Sequence, residues 1–393
     1  MSRMSAKRIP RILILVEMSR EFARGLLSGF ARYSQIHRPL VFVTPPPFYL
    51  RASVERRQFF SWIDRLTIDG VVLQGRFLSR RIRGLGVPII ALDVETQPEG
   101  IPCILSDNEQ IGRLGAEHLM DCAMLHYAFC GYNHLSWSEA RCDSFCRTIE
   151  QRGHRVSLYC PTERKALQSW TREYSLITEW LDSLPKPLGL MACNDDRGQH
   201  ILEACKLAGY AIPEEIAVLG ADNDQLRCMM TTPRLSSISM NLEKAGYQAA
   251  ALMTQLIEGK PPRDIIVEPR RVVRRESTDI IATDDPDVSS ALRFIREHAG
   301  EMIQVNDVVS ALCVSRRSLY AKFKARLGRS VHDEIVRVRL GRLLTLLSDT
   351  NLPISRIAEI MGFPGPDKLY CFFRRETGKT PSQYRKENLP HDH

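Results

Sequence analysis

Residues 305–323 read VNDVVSALCVSRRSLYAKF, and residues 354–373 repeat the same pattern as ISRIAEIMGFPGPDKLYCFF. In each stretch a short amphipathic helix leads through a tight turn into a longer helix, which is apolar on one side and basic on the other. A short first helix, a turn of three or four residues and a basic second helix are the parts of a helix-turn-helix motif. The two stretches therefore predict two such motifs.

In the first repeat, one side of the second helix is apolar and the other is polar and basic. We expect a buried stripe of Leu312, Val314, Leu319 and Phe323. Ser315 is placed to cap the second helix. The side chains expected to face outward, together with the cap, are Ser315, Arg316, Arg317, Tyr320 and Lys324. Residues at the start of such a helix reach base edges in DNA, and arginine suits guanine, so Arg317 is the leading candidate for a base contact.

The sequence around the repeats predicts helices only. They are expected at residues 289–298, 306–312, 315–327, 331–347, 354–361 and 366–376. The helix at 331–347 would join the two motifs. Residues 286–393 also hold 18 Lys and Arg against 12 Asp and Glu, which is +6 of the chain's net charge of +8. This asymmetry makes nucleic acid the first partner to consider, although a solvated basic face would give the same count.

This part of the chain resembles the DNA-binding domain of the AraC/XylS family of transcription regulators. The resemblance rests on SRRSLYAKFKARLG at 315–328, IAEIMGF at 357–363 and FRRETGKTPSQYR at 373–385. It implies that the second motif contacts DNA through Asp367, Lys368, Tyr370 and Arg374. The second motif departs from the family pattern at Pro366 and Cys371, which affects its base contacts rather than its fold.

The longer amino-terminal part alternates apolar runs with amphipathic stretches, as β-α-β units around parallel sheets do. Strands are expected at 11–16, 40–44, 70–73, 88–92, 127–131, 155–158, 188–193, 216–220 and 235–239. Helices are expected at 21–35, 53–66, 109–121, 139–152, 170–183, 198–208 and 242–258. So many strands in one segment favour two sheets over one.

The acidic stretch DIIATDDPD at 279–287 interrupts this alternation and is the best candidate for a linker. The expected domains are therefore residues 9–278, the linker 279–287 and residues 288–390.

The amino-terminal domain resembles the two-lobed, periplasmic-binding-protein-like sensor of LacI-family repressors. The matching pieces include SDN at 106–108, PLGLMACNDD at 187–196, IPEEIAVLGADN at 212–223 and REST at 275–278. The fold expected from both resemblances is a two-lobed α/β sensor followed by an all-α domain with two helix-turn-helix motifs.

The resemblance to these sensors implies a small polyol ligand between the lobes, held by charged and amide side chains and an aromatic ring. The ligand candidates are Asp107, Arg141, Trp170, Asn194, Asp195 and Asp222, with Glu17, Ser19 and Arg20 closing one wall. Asp107 and Asp222 also stand just before expected helices, where an aspartate commonly acts as a cap.

Several classes of protein are excluded or disfavoured by the sequence. No apolar run reaches the roughly 20 residues of a membrane span, and the basic start is not followed by a signal-peptide core, so we expect a cytoplasmic protein. The 11 cysteines include no C-x-x-C pair and are expected to be reduced, with Cys142 and Cys146 packing on one helix face. No phosphate loop, dinucleotide fingerprint or zinc-protease motif is found, so neither an enzyme nor a metal or cofactor site is expected.

The two resemblances together imply a transcription regulator of sugar catabolism, acting as an activator on promoter DNA and controlled by a small sugar, xylose first. Such a regulator would work as a homodimer and contact RNA polymerase. Two alternatives stay open at this point: a repressor or a regulator with another effector such as a purine, and a sugar- or nucleotide-converting enzyme.

Overall fold

The computed structural model describes residues 8–45, 62–63, 65–122, 124–133, 135–161, 172–279, 285–350 and 352–388. It divides into a first unit, Met1–Asp279, and a second unit, Ile280–His393. The expected helix at 53–66 lies mostly outside the described residues, as does the middle of the expected linker.

The described residues of the first unit form twelve strands: β1 (Arg11–Leu15), β2 (Val41–Val43), β3 (Gly70–Gln74), β4 (Ile89–Leu92), β5 (Cys103–Ser106), β6 (His126–Cys130), β7 (Val156–Tyr159), β8 (Leu188–Ala192), β9 (Ile216–Ala221), β10 (Ser236–Met240), β11 (Ile265–Val267) and β12 (Pro269–Val273). Its helices are α1 (Glu21–Ile36), α2 (Arg80–Arg83), α3 (Asn108–Asp121), α4 (Ser136–Glu150), α5 (Glu173–Asp182), α6 (Asp195–Ala208), α7 (Gln225–Met230) and α8 (Leu242–Ile257).

The strands form two six-stranded sheets, as the sequence favoured. The first lobe has the order β11-β5-β4-β3-β1-β2 and the second has β12-β10-β9-β8-β6-β7. All pairings are parallel except that of β10 with β12. The central strands are continuous apolar runs because helices cover both faces of a parallel sheet; Val71, Val72 and Leu73 are almost completely buried.

The chain passes between the lobes three times, after β5, after β10 and after β11. The crossing segments are hydrogen-bonded to one another: the Asp107 N–H donates to the Val267 carbonyl at 3.0 Å, and the Asn241 N–H donates to the Glu268 carbonyl at 2.9 Å. The two lobes are thus joined by adjacent crossing segments that are hydrogen-bonded to one another, rather than by one flexible connection.

Helices α1 and α8 pack unusually closely in the first lobe. A Cβ atom added to Gly246 would lie 1.9 Å from the Leu26 carbonyl oxygen, and one added to Gly29 would lie 2.1 Å from the Glu243 carbonyl oxygen. Glycine is required at both positions because any side chain would force the helices apart.

The described residues of the second unit form helices joined by turns, with no strand among them. Its helices are α9 (Pro286–Glu297), α10 (Val305–Leu312), α11 (Arg316–Leu327), α12 (Val331–Asp349), α13 (Ile354–Ile360), α14 (Pro366–Thr377) and α15 (Pro381–Asn388). A buried cluster that includes Leu343, Ile357, Leu369 and Phe373 joins α12, α13 and α14. The sequence predicted all of these helices except α15, whose short polar sequence carries a weak periodic signal.

Candidate ligand cavity and nucleic-acid interface

A cavity of about 210 Å³ lies where strands of both lobes end. Parallel strands place their carboxyl ends at one edge of a sheet, where ligands of α/β proteins bind. Residues from both lobes line it: Phe22, Gln74, Asp93, Val94, Ile104, Leu105, Ser106, Asn108, Ser136, Trp137, Arg141, Asn194 and Asp222. The cavity therefore brings together three of the expected ligand residues, Arg141, Asn194 and Asp222.

Arg141 is the most rigidly held of these side chains. It extends from α4 and is only 3% exposed. Its Nε donates to the Asn108 Oδ1 at 3.0 Å, one Nη to the Cys193 carbonyl at 2.6 Å and the other to the Asp222 Oδ1 at 3.2 Å. A guanidinium fixed at three points presents its remaining N–H groups in one orientation, which favours directional recognition of a polar ligand.

Two carboxylates, Asp93 and Asp222, also line the cavity, and both have left-handed backbones. Their φ angles are 53° and 96°. Non-glycine residues rarely adopt such values, and strained residues of this kind cluster at binding sites. Burial raises the pKa of Asp93, the negative charge of Asp222 raises it further, and Arg76 and Arg141 oppose the shift.

Asp93 and Gln74 were not among the ligand residues expected from the resemblance. Asp93 follows β4 directly and Gln74 ends β3. Their positions at the carboxyl ends of strands are the signal that could have identified both.

The aromatic surface of the cavity comes from Trp137 and Phe22. The Arg141 guanidinium lies 5.1 Å from the centre of the Trp137 ring, a distance at which cation–π attraction operates. Trp170, the aromatic residue chosen from the sequence, lies outside the described residues.

Asp107 and Asp195 lie beside the cavity but do not line it. Asp107 caps α3 by accepting the Gln110 N–H at 2.9 Å, the structural role that the sequence left open. Asp195 is 2% exposed and accepts from the Ser237 hydroxyl at 2.5 Å and the Asp224 N–H at 2.6 Å. Burial raises the pKa of Asp195 well above the usual value.

The loop after β1 lies at the rim of the cavity rather than in its wall. Arg20 pairs with Asp196 of the second lobe at 2.8 Å, and both line a smaller adjoining cavity of about 40 Å³. The Glu17 carboxylate accepts the Ser19 N–H at 3.2 Å and therefore shapes the loop itself. The structure places Glu17 and Ser19 outside both cavity linings.

Asn194 lines the cavity and also caps a helix. Its side chain accepts the Arg197 N–H at 3.0 Å and caps α6. This cap explains why α6 begins at Asp195, three residues before the helix that the periodicity predicted.

The first helix-turn-helix motif consists of α10 and α11. Leu319 and Phe323 are buried, whereas Leu312 and Val314 are half-buried. Ser315 caps α11 by accepting the Ser318 N–H at 3.1 Å. The residues expected to face outward from α11 are all exposed: Arg316, Arg317, Tyr320 and Lys324.

Two of those exposed side chains also have contacts within the motif. The Arg316 guanidinium donates to the Asn306 Oδ1 at 3.3 Å, and the Lys324 ammonium donates to the Gly328 carbonyl at 3.2 Å.

The turn between α10 and α11 differs from its counterpart in the second motif. Cys313 ends α10 with a φ of 52°, and Gly362, the aligned residue, has a φ of 66°. At this turn the first motif has a cysteine, whereas the second motif has glycine, the residue best suited to a left-handed backbone.

The second motif consists of α13 and α14. Pro366 occupies the first turn of α14, where its missing N–H does no harm. Asp367, Lys368, Cys371 and Arg374 are exposed. Tyr370 is half-buried, and its hydroxyl is 2.9 Å from that of Ser382.

The connecting helix α12 fixes the second motif through a buried arginine. Arg339 is 5% exposed, donates to the Met361 carbonyl at 2.9 Å and lies 5.0 Å from the centre of the Phe363 ring. Both partners flank the turn between α13 and α14, so Arg339 attaches that turn to α12.

Comparison with known proteins agrees with both parts of this description. Residues 116–278 match the family described as a periplasmic binding protein-like domain. Residues 308–387 match a helix-turn-helix domain.

Similarity also extends over the full length of named proteins. The xylose operon regulatory protein of Haemophilus influenzae is 29% identical over 95% of this chain and 98% of its own length. That of Escherichia coli K12 is 29% identical over 96% of this chain and 97% of its own length. The chain is therefore similar over nearly its full length to the xylose operon regulatory proteins.

A solved structure supports the same relationship. The structure of the xylose-binding transcription activator xylR is 27% identical, has a TM-score of 0.76 and covers 98% of this chain and 100% of its own. The protein described here is thus a transcription regulator with a two-lobed periplasmic-binding-protein-like domain and a helix-turn-helix DNA-binding domain. Both sequence predictions, of the fold and of a DNA-binding regulator, are confirmed.

No helix among the described residues has the length and apolar character of a membrane span. These residues also contain no group of three or more His, Cys, Asp and Glu side chains arranged to hold a metal ion.

Proposed function

We propose that this regulator is a xylose-responsive transcription activator of sugar catabolism and has no enzymatic activity. Its full-length relatives are named as xylose operon regulators, and a structural relative as a xylose-binding activator. The observation that carries the proposal is the cavity in which Arg141, Asn194, Asp93 and Asp222 meet beside the Trp137 ring.

The chemistry of this cavity suits a monosaccharide. Neighbouring hydroxyl groups of a sugar donate to carboxylates and accept from a guanidinium, while its C–H face packs on an aromatic ring. A volume of about 210 Å³ is below the roughly 300–1,000 Å³ typical of sites for drug-sized ligands. In this proposal Arg141 and the two aspartates hold the hydroxyls, and Asn194 and Gln74 complete the polar wall.

The exposed faces of α11 and α14 are the proposed DNA contacts. Arg317, near the start of α11, reads a base edge in the major groove. Lys324, one turn from the end of α11, contacts the phosphate backbone. On α14 the contacts are Asp367, Lys368, Tyr370 and Arg374.

The proposal extends to the domains of the chain and to its assembly on DNA. The sensor comprises residues 9–278, and the linker 279–287 joins it to the DNA-binding domain at 288–390. The protein acts in the cytoplasm on promoter DNA as a homodimer, and it recruits RNA polymerase when sugar is bound. Closure of the two lobes would change how two protomers present their motifs to DNA.

Titration calorimetry of the purified protein with a panel of pentoses and hexoses tests the effector. We expect xylose to bind most tightly and to raise sensor stability by about 2.7 kcal/mol at 100 times its Kd. Arg141→Lys keeps the positive charge but removes the planar guanidinium with its fixed N–H directions, so it should weaken sugar binding about tenfold or more. Arg147→Lys is the matched control, since Arg147 lies on the same helix and is 56% exposed.

The outcome of the titrations distinguishes an error in the choice of sugar from an error in the assignment of the cavity. Tight binding of another sugar would contradict only the choice of xylose. Absence of binding by every sugar, or an equal loss in Arg147→Lys, would contradict the assignment of the cavity.

A further inference from the structure

The last residues of the sensor, 275–279, form its exit segment, from which the chain continues to the helical unit. The segment contains a short 3₁₀ turn, Glu276–Thr278. Ser277 and Thr278 are completely buried. Serine and threonine are mostly exposed in proteins, and buried hydroxyls need hydrogen-bond partners. The exit segment is therefore part of the interior of the sensor.

Strands β9 and β10 supply those hydrogen-bond partners. The Ser277 hydroxyl donates to the Val218 carbonyl at 2.6 Å and accepts the Ser236 N–H at 2.8 Å. The Thr278 hydroxyl donates to that of Ser236 at 2.8 Å. Strand β9 leads directly into Asp222 of the cavity. The exit segment is thus attached to the strand that carries a proposed sugar-binding carboxylate.

Arg275 connects the exit segment to the loop at Asp222. Arg275 is half-buried, and one Nη donates to the Asn223 Oδ1 at 2.9 Å while the other donates to the Leu235 carbonyl at 2.9 Å. Its backbone N–H donates to the Ser236 hydroxyl at 2.8 Å. Because Asn223 directly follows Asp222, the contact between Arg275 and Asn223 lies next to the lining of the cavity.

The loop that contains Asp222 and Asn223 has a restricted backbone. The φ angles of these residues are 96° and 52°, and the left-handed region open to residues other than glycine is small. The Asn223 N–H donates to the Ser237 hydroxyl at 3.0 Å. A packed loop of this kind moves between discrete arrangements rather than by gradual bending. A change at Asp222 on sugar binding therefore shifts the Asn223 amide, to which Arg275 is bonded.

A second connection reaches the exit segment along α3. This helix begins at Asn108, which lines the cavity and accepts from Arg141. Towards the other end of the helix, the His118 Nε2 is 2.8 Å from the Thr278 hydroxyl. The Cys122 thiol, just after the helix, donates to the Thr278 carbonyl at 3.5 Å. The exit segment is thus held between two elements that both reach the cavity.

We propose that Arg275 is the positioning residue that couples sugar binding in the cavity to the linker and the helical unit. It acts through Asn223 and does not contact the sugar. The inference rests on the proposed function, since it names the residue through which that regulation acts. The bond from Arg275 to Asn223 carries the arrangement of the loop at Asp222 into the exit segment, and the chain leads from there into the linker.

The coupling is measured with the full-length protein. Operator binding is followed by fluorescence anisotropy with and without saturating xylose, and the probe is a labelled duplex that the parent protein selects from a random DNA library. Xylose affinity is measured by calorimetry with and without the same duplex. The ratio of the two affinities in either experiment is the coupling factor, and linkage requires the same value from both.

Two substitutions break the contact from opposite sides. Arg275→Met removes the guanidinium, and Asn223→Gly removes the acceptor while it permits the left-handed backbone. Asn223→Asp is the conservative variant, because aspartate also tolerates that backbone and accepts from arginine more strongly. Arg271→Met is the matched control, since Arg271 is an exposed arginine on β12.

We expect a parent coupling factor in the usual range of about 5–150, and a factor of about 1 in Arg275→Met and in Asn223→Gly. The double variant should show no further loss, because the effects of two residues in one contact do not add. Asn223→Asp and Arg271→Met should keep the parent factor. Xylose affinity without DNA should change by less than about twofold in Arg275→Met, whereas a residue that only supports the cavity would lower it.

Retention of the parent coupling factor in Arg275→Met or in Asn223→Gly would overturn the role of Arg275, as would an equal loss in Arg271→Met. A fall in xylose affinity without DNA would show that Arg275 supports the cavity instead. If Arg275→Met does not fold, Asn223→Gly decides alone. A parent protein that binds no sugar, or whose operator affinity does not respond to sugar, contradicts the proposed function itself and removes the role of Arg275 with it.

Discussion

Replacing Asp222 with asparagine separates the charge of this residue from its shape. The Asp222 carboxylate accepts from Arg141 at 3.2 Å and its side chain is 22% exposed. Asparagine has nearly the same size and tolerates the left-handed backbone at φ 96°. Its amide oxygen can still accept from Arg141, so the guanidinium keeps its three contacts.

The expected loss of sugar affinity follows from hydrogen-bond energies. Hydrogen bonds to charged groups contribute about 1.5–3 kcal/mol, against about 0.5–1.5 kcal/mol for neutral pairs. Exchanging one for the other costs about 1.4 kcal/mol, which is a tenfold increase in Kd.

The stability of the sugar-free protein should change little, because two effects oppose each other. The pair with Arg141 is weakened, but the negative charge that raises the pKa values of Asp93 and Asp195 is removed. A carboxyl whose folded pKa is raised binds more protons when folded, so its unfavourable contribution appears as pH rises from 3.8 through the raised pKa. Asp222→Asn should therefore flatten the fall in stability over this range.

Calorimetric titration with xylose and thermal melts between pH 4 and pH 7 provide the measurement. Asp196→Asn is the control, since Asp196 is similarly exposed and pairs with Arg20 and Arg227 without lining the larger cavity. Equal losses in both variants would show that pairing between the lobes sets the affinity. Unchanged affinity in Asp222→Asn, with sugar bound by the parent protein, would refute the role of the carboxylate.

Further substitutions test the helical unit and the half-buried His118 of the sensor. Cys313→Gly should raise the free energy of unfolding of the helical unit by about 1 kcal/mol, because glycine adopts the left-handed backbone at this position without strain. Gly362→Ala should lower it, since the new Cβ would lie 2.9 Å from a backbone oxygen. Calorimetric melts of both variants would test these two expectations. Arg317→Ala should cost about 1–3 kcal/mol at the cognate operator and little on random DNA, whereas an equal loss on both, in fluorescence anisotropy, would indicate a phosphate contact. Lys324→Ala should weaken all sequences alike and reduce the salt dependence by about one counterion; a sequence-selective loss would contradict this. Burial lowers the pKa of His118 to about 4, so sensor stability should fall as pH drops from 6.5 towards 4, and His118→Gln should remove part of that slope in melts at several pH values.

Three strands could not be predicted from the sequence because their apolar runs are brief or are interrupted by proline and arginine. The β5 strand has only four residues, β11 has three, and β12 begins with proline and two exposed arginines. Length and edge position do not explain the difference by themselves, since β2 and β7 are also short edge strands and were predicted. The central strands were predictable because burial on both faces demands continuous apolar residues.

The residues that line the candidate cavity were predictable only in part, for a different reason. Motif similarity identified Arg141, Asn194 and Asp222, which share the cavity. It also selected Asp107 and Asp195, whose carboxylates serve a helix cap and a buried hydrogen-bond network. Sequence patterns place a residue at the end of a strand, but the direction of its side chain depends on which nearby N–H groups need an acceptor.

The three passages of the chain between the lobes have a consequence for biosynthesis. The first lobe is complete only when β11 pairs with β5 and when α8 covers α1 at the contact between Gly29 and Gly246. Residues 106 and 267 are 161 positions apart, so a ribosome adding about 5–20 residues per second needs roughly 8–30 s between them. Until α8 has emerged, the part of α1 that packs against it has no partner on the nascent chain, although Phe30 can already contact Phe42 of β2. That exposed part of the helix is then a target for chaperones that bind apolar segments. The DNA-binding domain, by contrast, is contiguous and folds from neighbouring segments as soon as they emerge.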